Sequence, residues 1–203
     1  MNGTVISGDI INSQKLSKDK LTEIINRLNE WFETLVQSAQ YQYYFFRGDG
    51  FQLYSPTSKR VFEVAIALRL IVRACGSDVR LSIAEGPIEQ LKRPLATSTG
   101  WAFVHSGKGL DQMKPFALRY QKYGTELCPH FELNIQLIDH LVGETTVKQA
   151  KALYYYVSRQ ADDHYQLAEL LGTSRVNATK LLNLGNYQFI ERFLELSKET
   201  HLK

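Results

Sequence analysis

Two aspartates occur where predicted strands end. Asp9 follows the apolar, β-branched run 4–7, and Asp49 lies in the Gly-Asp-Gly turn between the aromatic segments 41–46 and 51–54. Such segments, ended by turn residues, predict a buried strand and a β-hairpin. If the first strand lies beside the hairpin, the two carboxylates face one another, roughly 4–7 Å apart, and suit Mg²⁺ or Mn²⁺, which prefer oxygen ligands. The alternative is that each aspartate only stabilises its own turn, where Asp is common.

Further polar residues near this pair could hold phosphate. Arg47 in the hairpin turn is expected either to anchor a phosphate group or to pair with Asp9. Asn12 and Ser13 follow the first strand near a predicted helix start, where backbone N–H groups favour anions. The alternative for these two residues is that they only cap the helix.

Hydrophobic periodicity predicts the elements that position these residues. Apolar residues recur at intervals of three and four over 17–37 and 57–74, which predicts two amphipathic helices. Alternation over 79–84 predicts a fourth strand. The resulting order, β-α-β-β-α-β, predicts a ferredoxin-like α+β domain with an antiparallel sheet and both helices on one face. We expect this domain to span residues 1–140, with a further helix at 100–113 and further strands at 116–120 and 130–134.

The segment 165–183 has the layout of a helix-turn-helix. Ala168 is small where two helices would cross, Gly172 lies where the turn needs a positive φ, and Ser174 can cap the second helix. Val176 or Ala178, with Leu181 and Leu182, would form the buried face of that helix. The residues expected to point outward are Arg175, Asn177, Thr179 and Lys180.

These outward residues suit double-stranded DNA. Arginine can read guanine, asparagine can read adenine, and lysine and threonine contact phosphate. The alternative is a helical hairpin of the same geometry that serves dimerisation or docking. A supporting helix is predicted at 146–158, and an amphipathic tail at 189–196 is expected to be core or a dimer contact. The predicted second domain therefore covers residues 141–203, and a two-fold homodimer would present two such helices to successive major grooves.

The composition is that of a globular protein. The 203 residues are 44% hydrophobic and 22% charged, with a formal charge of +3, which permits but does not by itself indicate a polyanionic partner. Cys75 and Cys128 lack metal-ligand spacing, which argues against a structural zinc site. The sequence has no signal-peptide pattern and no apolar run of about 20 residues, so we expect a cytoplasmic location and no membrane partner.

Two motifs resemble a known superfamily. The sequences GDIINS at 8–13 and RGDGFQ at 47–52 resemble the metal-binding pattern of class III nucleotidyl cyclases, which are related to GGDEF domains and polymerase palms. The resemblance implies that Asp9, the backbone carbonyl of Ile10 and Asp49 hold the metal. The match is closer to the SatD-like bacterial family, in which a nucleotidyl-cyclase-like domain precedes a helix-turn-helix, and this likeness covers most of the chain.

One position departs from the cyclase pattern. Active cyclases place an asparagine and an arginine on the helix after the fourth strand, whereas here the expected arginine position holds Gly107, with Lys108 beside it. Lys108 could still contact a nucleotide. A glycine offers no charge to stabilise a transition state, so this departure disfavours turnover.

Three hypotheses follow. The preferred one is a cytoplasmic DNA-binding regulator whose cyclase-like domain binds a metal-nucleotide ligand or serves as a scaffold. The second is a metal-dependent nucleotidyl cyclase or phosphotransferase, which the glycine at position 107 disfavours. The third is an oligomerisation scaffold with no ligand, for which a salt-bridged Asp9–Asp49 region would argue.

Overall fold

The strands form one mixed sheet. The computed structural model describes residues 1–200, and their strands are β1 (Asn2–Ile10), β2 (Gln42–Phe46), β3 (Gly50–Ser55), β4 (Val79–Pro87) and β5 (Leu118–Lys122). Within these residues the strand order is β2-β3-β1-β4-β5. The central strand β1 pairs antiparallel with β3 and β4, whereas β4 and β5 run parallel.

Helices cover the sheet and make up the C-terminal part of the chain. The first, α1, begins after Ser17, whose side chain accepts a hydrogen bond from the backbone N–H of Lys20 at 3.2 Å. None of the helices within residues 1–200 has the length and hydrophobicity that a membrane crossing requires. The helices are α1 (Lys18–Ala39), α2 (Val61–Ala74), α3 (Trp101–Gln112), α4 (Pro129–Gly143), α5 (Val147–Val157), α6 (His164–Leu171), α7 (Arg175–Leu184) and α8 (Tyr187–Thr200).

The alternation of side chains along β1 separates two layers. Ile6 lies in the main core with Ile24 of α1 and Leu68 of α2. The next residue, Ser7, points to the opposite face, where its hydroxyl donates to that of Ser106 in α3 at 2.9 Å. Successive residues of a strand face opposite sides, so α1 and α2 cover one face of the sheet and α3 the other.

The predicted β-α-β-β-α-β order is confirmed, and the hairpin lies beside β1 as expected. Two expectations were wrong. The sheet is mixed rather than antiparallel, because α3 forms a helical crossover that brings β5 parallel to β4. The segment 130–134 belongs to α4 rather than to a strand. Proline at the first helical position favours this helix, and its buried residues recur at helical spacing: Phe131, Ile135, Ile138 and Val142.

The hydrophobic core is continuous between the sheet region and the C-terminal helices. Phe62 of α2 packs edge-on against Phe193 of α8, with ring centroids 5.2 Å apart. Leu153 of α5 and Leu182 of α7 are fully buried in the same cluster. Residue 140, where the sequence predicted a domain boundary, lies inside α4, and the division into two domains stays a prediction.

A network of ion pairs joins α2 and α4 to Asp78, the residue that precedes β4. Arg69 of α2 is 5% exposed and donates to both carboxylate oxygens of Asp78, each at 2.9 Å, and to the carboxylate of Asp139 in α4. Arg73 also contacts Asp78, at 3.0 Å. Burial raises the pKa of Asp139, and the Arg69 guanidinium opposes that rise. The network fixes α2 and α4 against the start of β4.

Candidate functional site

The two aspartates lie at the same end of adjacent strands. In the sheet register Asp9 of β1 is opposite Gly50 of β3, the residue that follows Asp49. The backbone N–H of Ile10 donates to the carbonyl of Asp49 at 3.3 Å. The juxtaposition expected from the sequence is therefore present at the level of the backbone.

Asp9 forms an ion pair that the sequence analysis missed. Arg80 of β4 is opposite Asp9 in the register, and its Nη2 donates to Asp9 Oδ2. The two side chains are 29% and 27% exposed, so water screens the pair only in part. In sequence Arg80 is one polar residue in an alternating strand, and only the register shows that it faces Asp9. An ion-paired Asp9 is what the scaffold hypothesis expects, and any cation at this carboxylate must compete with Arg80.

Asp49 is engaged by the segment that follows β1. Ser13 lies in a short 3-10 helix, Ser13–Lys15, is buried, and donates its hydroxyl proton to Asp49 Oδ2. The chain turns there because Asn12 adopts the left-handed conformation, with φ 53°. The Asn12 side chain forms no cap for the 3-10 helix, so the capping alternative does not describe this residue. Ser13 instead holds the hairpin carboxylate.

A cavity of 350 Å³ opens beside the Asp9–Arg80 pair. Its lining includes Arg80, Asn12 and Lys114, the last from the loop between α3 and β5. The lining contains two cationic side chains and no carboxylate. The cavity can therefore attract an anion such as a phosphate group. Lys114 had no distinguishing signal in the sequence, because it lies in a Lys-Pro loop outside every recognised motif.

The remaining residues of the predicted nucleotide set lie in exposed positions. Arg47 is exposed at the hairpin turn, with φ 55°, and Lys108 is exposed on α3. Neither lines the cavity beside Arg80. At Gly107 no atom lies within 4 Å of the position that a Cβ would occupy. The space would accept a larger side chain there, and the chain supplies none.

Metal ligands are sparse at this site. Within residues 1–200 there is no group of three or more His, Cys, Asp or Glu side chains placed to hold a metal ion. A divalent cation would therefore depend on Asp9, Asp49 and the backbone carbonyl of Ile10. Oxygen ligands of this kind fit Mg²⁺ or Mn²⁺ with water in the other coordination positions.

The helix pair α6 and α7 forms a second site of interest. Asp163 caps α6 by accepting from the backbone N–H groups of Tyr165 and Gln166, at 2.7 and 2.9 Å. The helix ends at Gly172, with φ 62°, and Ser174 caps α7. Each expected turn and cap residue thus has the backbone role predicted for it.

One face of α7 is open to solvent. Ala178 and Leu182 are fully buried, whereas Val176 is 78% exposed and Arg175, Asn177 and Lys180 are also exposed. The sequence analysis expected either Val176 or Ala178 on the buried face, and Ala178 is the one that is buried.

Neighbouring side chains contact three of the residues that were expected to point outward, namely Arg175, Asn177 and Thr179. The Arg175 guanidinium lies 4.7 Å from the ring centroid of Tyr165, within cation-π range. Asn177 donates to the hydroxyl of Thr173 at 2.9 Å. Thr179 does not point outward as expected: it is half-buried, and its hydroxyl lies 2.9 Å from His164 Nδ1.

The chain has partial backbone similarity to solved structures of nucleotidyl cyclases. No family model matches the chain, and no curated protein matches it, so membership of the SatD-like family stays a prediction. Among solved structures, a bacterial light-regulated adenylyl cyclase is 15% identical, covers 59% of this chain and 74% of its own, and has a TM-score of 0.41. The guanylyl cyclase Cya2 is 15% identical, covers 53% of this chain and 68% of its own, and has a TM-score of 0.39. These values describe partial backbone similarity and assign no activity.

Proposed function

We propose that this protein is a DNA-binding regulator that contacts duplex DNA through the exposed face of α7. The observation that supports the proposal is the exposure of Arg175, Val176, Asn177 and Lys180 on a helix whose other face, at Ala178 and Leu182, is buried. A helix held in this way can enter a major groove while its opposite face stays buried against the neighbouring helices.

The exposed side chains offer complementary contacts to DNA. Arg175 and Asn177 supply donors for guanine and adenine edges, and Lys180 supplies a charge for phosphate. Val176, whose 78% exposure has no packing explanation, can contact a thymine methyl group. The contact with Tyr165 restricts the Arg175 side chain before any base is bound.

The test is a binding measurement with the full chain. Fluorescence anisotropy with a random-sequence duplex at low salt should show binding that weakens steeply as salt rises, because phosphate contacts release counterions. Selection from a random duplex library should then yield an enriched motif. Absence of duplex binding at low salt would refute the proposal.

A second candidate function is binding of a metal-nucleotide ligand at the end of β1. It is supported by the neighbouring backbone positions of Asp9 and Asp49 and by the cavity lined by Lys114 and by Arg80, the ion-pair partner of Asp9. In this proposal the two carboxylates hold Mg²⁺ or Mn²⁺, and the two cationic side chains contact phosphate. Calorimetric titration with Mn²⁺ and ATP or GTP tests it, and no heat with any combination would exclude it. Production of a cyclic nucleotide from either triphosphate would favour the cyclase alternative instead.

We further propose that the protein is a cytoplasmic homodimer that pairs through α4 and α8. Leu137 of α4 and Phe189 of α8 line the same cavity and are 51% and 66% exposed. A second copy would cover this apolar surface and present two α7 helices related by a two-fold axis. Light scattering after size-exclusion chromatography tests the proposal: Phe189→Glu should convert a dimer into a monomer, and a wild-type monomer would contradict it.

A further inference from the structure

A cavity of 480 Å³ lies where α5 crosses α1 and α2. This volume is within the range of about 300–1,000 Å³ that is usual for small-molecule sites, which also occur between packed helices. The lining shares no residue with the cavity beside Arg80 or with the exposed face of α7. Neither proposed function uses it.

Three aromatic side chains take part in the cavity wall. Trp31 of α1 lines one side, and Tyr154 and Tyr155 of α5 line the other, with their ring centroids 5.5 Å apart. Gln160 donates to the hydroxyl of Tyr154 at 2.8 Å, which fixes that ring. Flat rings around a cavity favour a planar aromatic ligand, because aromatic pairs stack or meet edge to face.

The charged side chains at the cavity determine which ligand charge the cavity favours. Lys151 lies 5.9 Å from the ring centroid of Tyr155, and it takes part in none of the ion pairs found within residues 1–200. Arg27 has one distant carboxylate partner, Glu23, at 3.8 Å. Glu30 supplies the single acidic side chain of the lining. Two exposed cationic groups and one carboxylate leave a net positive charge at the cavity, which favours an anion over a cation.

We propose that this cavity binds a small planar aromatic monoanion, with its ring between Trp31 and the two tyrosines and its charged group at Lys151 and Arg27. The geometry distinguishes this ligand from an aromatic cation, which would meet two like charges. It also distinguishes it from a neutral apolar ligand, which would leave Lys151 without a carboxylate partner.

Three probes with the same ring system test the proposal: 2-naphthoate, 2-naphthamide and 2-naphthylmethylammonium. Isothermal titration calorimetry with the full chain at neutral pH should show saturable binding of the naphthoate with a Kd about tenfold lower than that of the amide. The ammonium compound should bind more weakly than the amide. Equal affinity of acid and amide, tighter binding of the ammonium compound, or no binding of the naphthoate would overturn the proposal.

Variants of the full chain locate the binding. Lys151→Gln should raise the Kd of naphthoate about tenfold, whereas Lys148→Gln, which changes an exposed lysine of α5 outside the cavity, should leave it unchanged. Glu30→Gln should lower the Kd, because it removes the like charge, and a gain of affinity cannot come from misfolding. An unchanged Kd in both Lys151→Gln and Glu30→Gln would place the ligand elsewhere and refute the proposal.

Discussion

Asp9 and Arg80 face one another across β1 and β4 and form an ion pair at the end of the sheet. The pair satisfies the charge of a carboxylate that the sequence assigned to a metal. It also places a guanidinium at the wall of a cavity that has a second cation, Lys114. A divalent cation and Arg80 would therefore compete for the carboxylate of Asp9. Substitutions at either residue should change the affinity for the cation.

Arg80→Gln should strengthen Mn²⁺ binding to the protein, by roughly tenfold, because it removes the positive charge that competes for Asp9. Asp9→Asn should abolish the binding, because it removes a ligand. Titration calorimetry with Mn²⁺ measures both effects. Asp111→Asn, at an exposed position of α3, is the control and should change nothing. Wild-type affinity in Asp9→Asn would remove Asp9 from the metal set.

Substitutions on α7 should affect DNA binding in two different ways. Arg175→Ala should relax sequence preference, by about 1–3 kcal/mol if the guanidinium reads a base. Lys180→Ala should weaken binding to all sequences alike and reduce the salt slope by about 1, because it removes one phosphate contact. Anisotropy titrations against the selected motif and a scrambled duplex measure both.

The matched control for α7 is Lys18→Ala, which changes an exposed lysine at the start of α1 and should leave binding unaltered. Equal losses in all three variants would indicate general electrostatic attraction rather than a recognition helix.

Two glycines should respond to alanine in opposite directions. Gly107→Ala should stabilise the protein by about 0.5–1 kcal/mol, because the position is helical and the added methyl group meets no atom within 4 Å. Gly172→Ala should destabilise it by about 1–2 kcal/mol, because φ is 62° there. Urea unfolding measures the free energy of each variant. The added methyl group also meets open space at Gly172, so any destabilisation of Gly172→Ala measures the free-energy cost of the left-handed backbone alone. An unchanged unfolding free energy would contradict the left-handed turn.

Arg69→Met should destabilise the protein by about 3–5 kcal/mol, because it leaves the buried carboxylate of Asp139 without its cation, whereas Asp78 keeps Arg73. The double variant Arg69→Met/Asp139→Leu should recover part of that loss, since it also removes the carboxylate that is left unpaired. Unfolding free energies at neutral pH provide the measurement. A double variant less stable than Arg69→Met would show that Asp139 contributes mainly through its contact with the backbone N–H of Ala117, at 3.1 Å.

Local patterns in the sequence were sufficient to predict most elements and several individual roles. The periodicity of apolar residues located α1, α2 and α5 to within a few residues. Gly172 and Ser174 have the turn and cap roles expected of them, because those roles depend on backbone conformation within a few residues. The same local signals placed Asp9 near the end of its strand and Asp49 in the hairpin turn.

The tertiary structure decided which distant residues meet. Arg80 is opposite Asp9 because of strand register, and a shift by one residue would turn it to the other face of the sheet. The direction of β5 and the packing of α8 against α2 also depend on contacts between segments far apart in the chain. The contact between Thr179 of α7 and His164 of α6 likewise joins residues of different helices. None of these relations leaves a local pattern, because each is set by the free energy of packing the whole core.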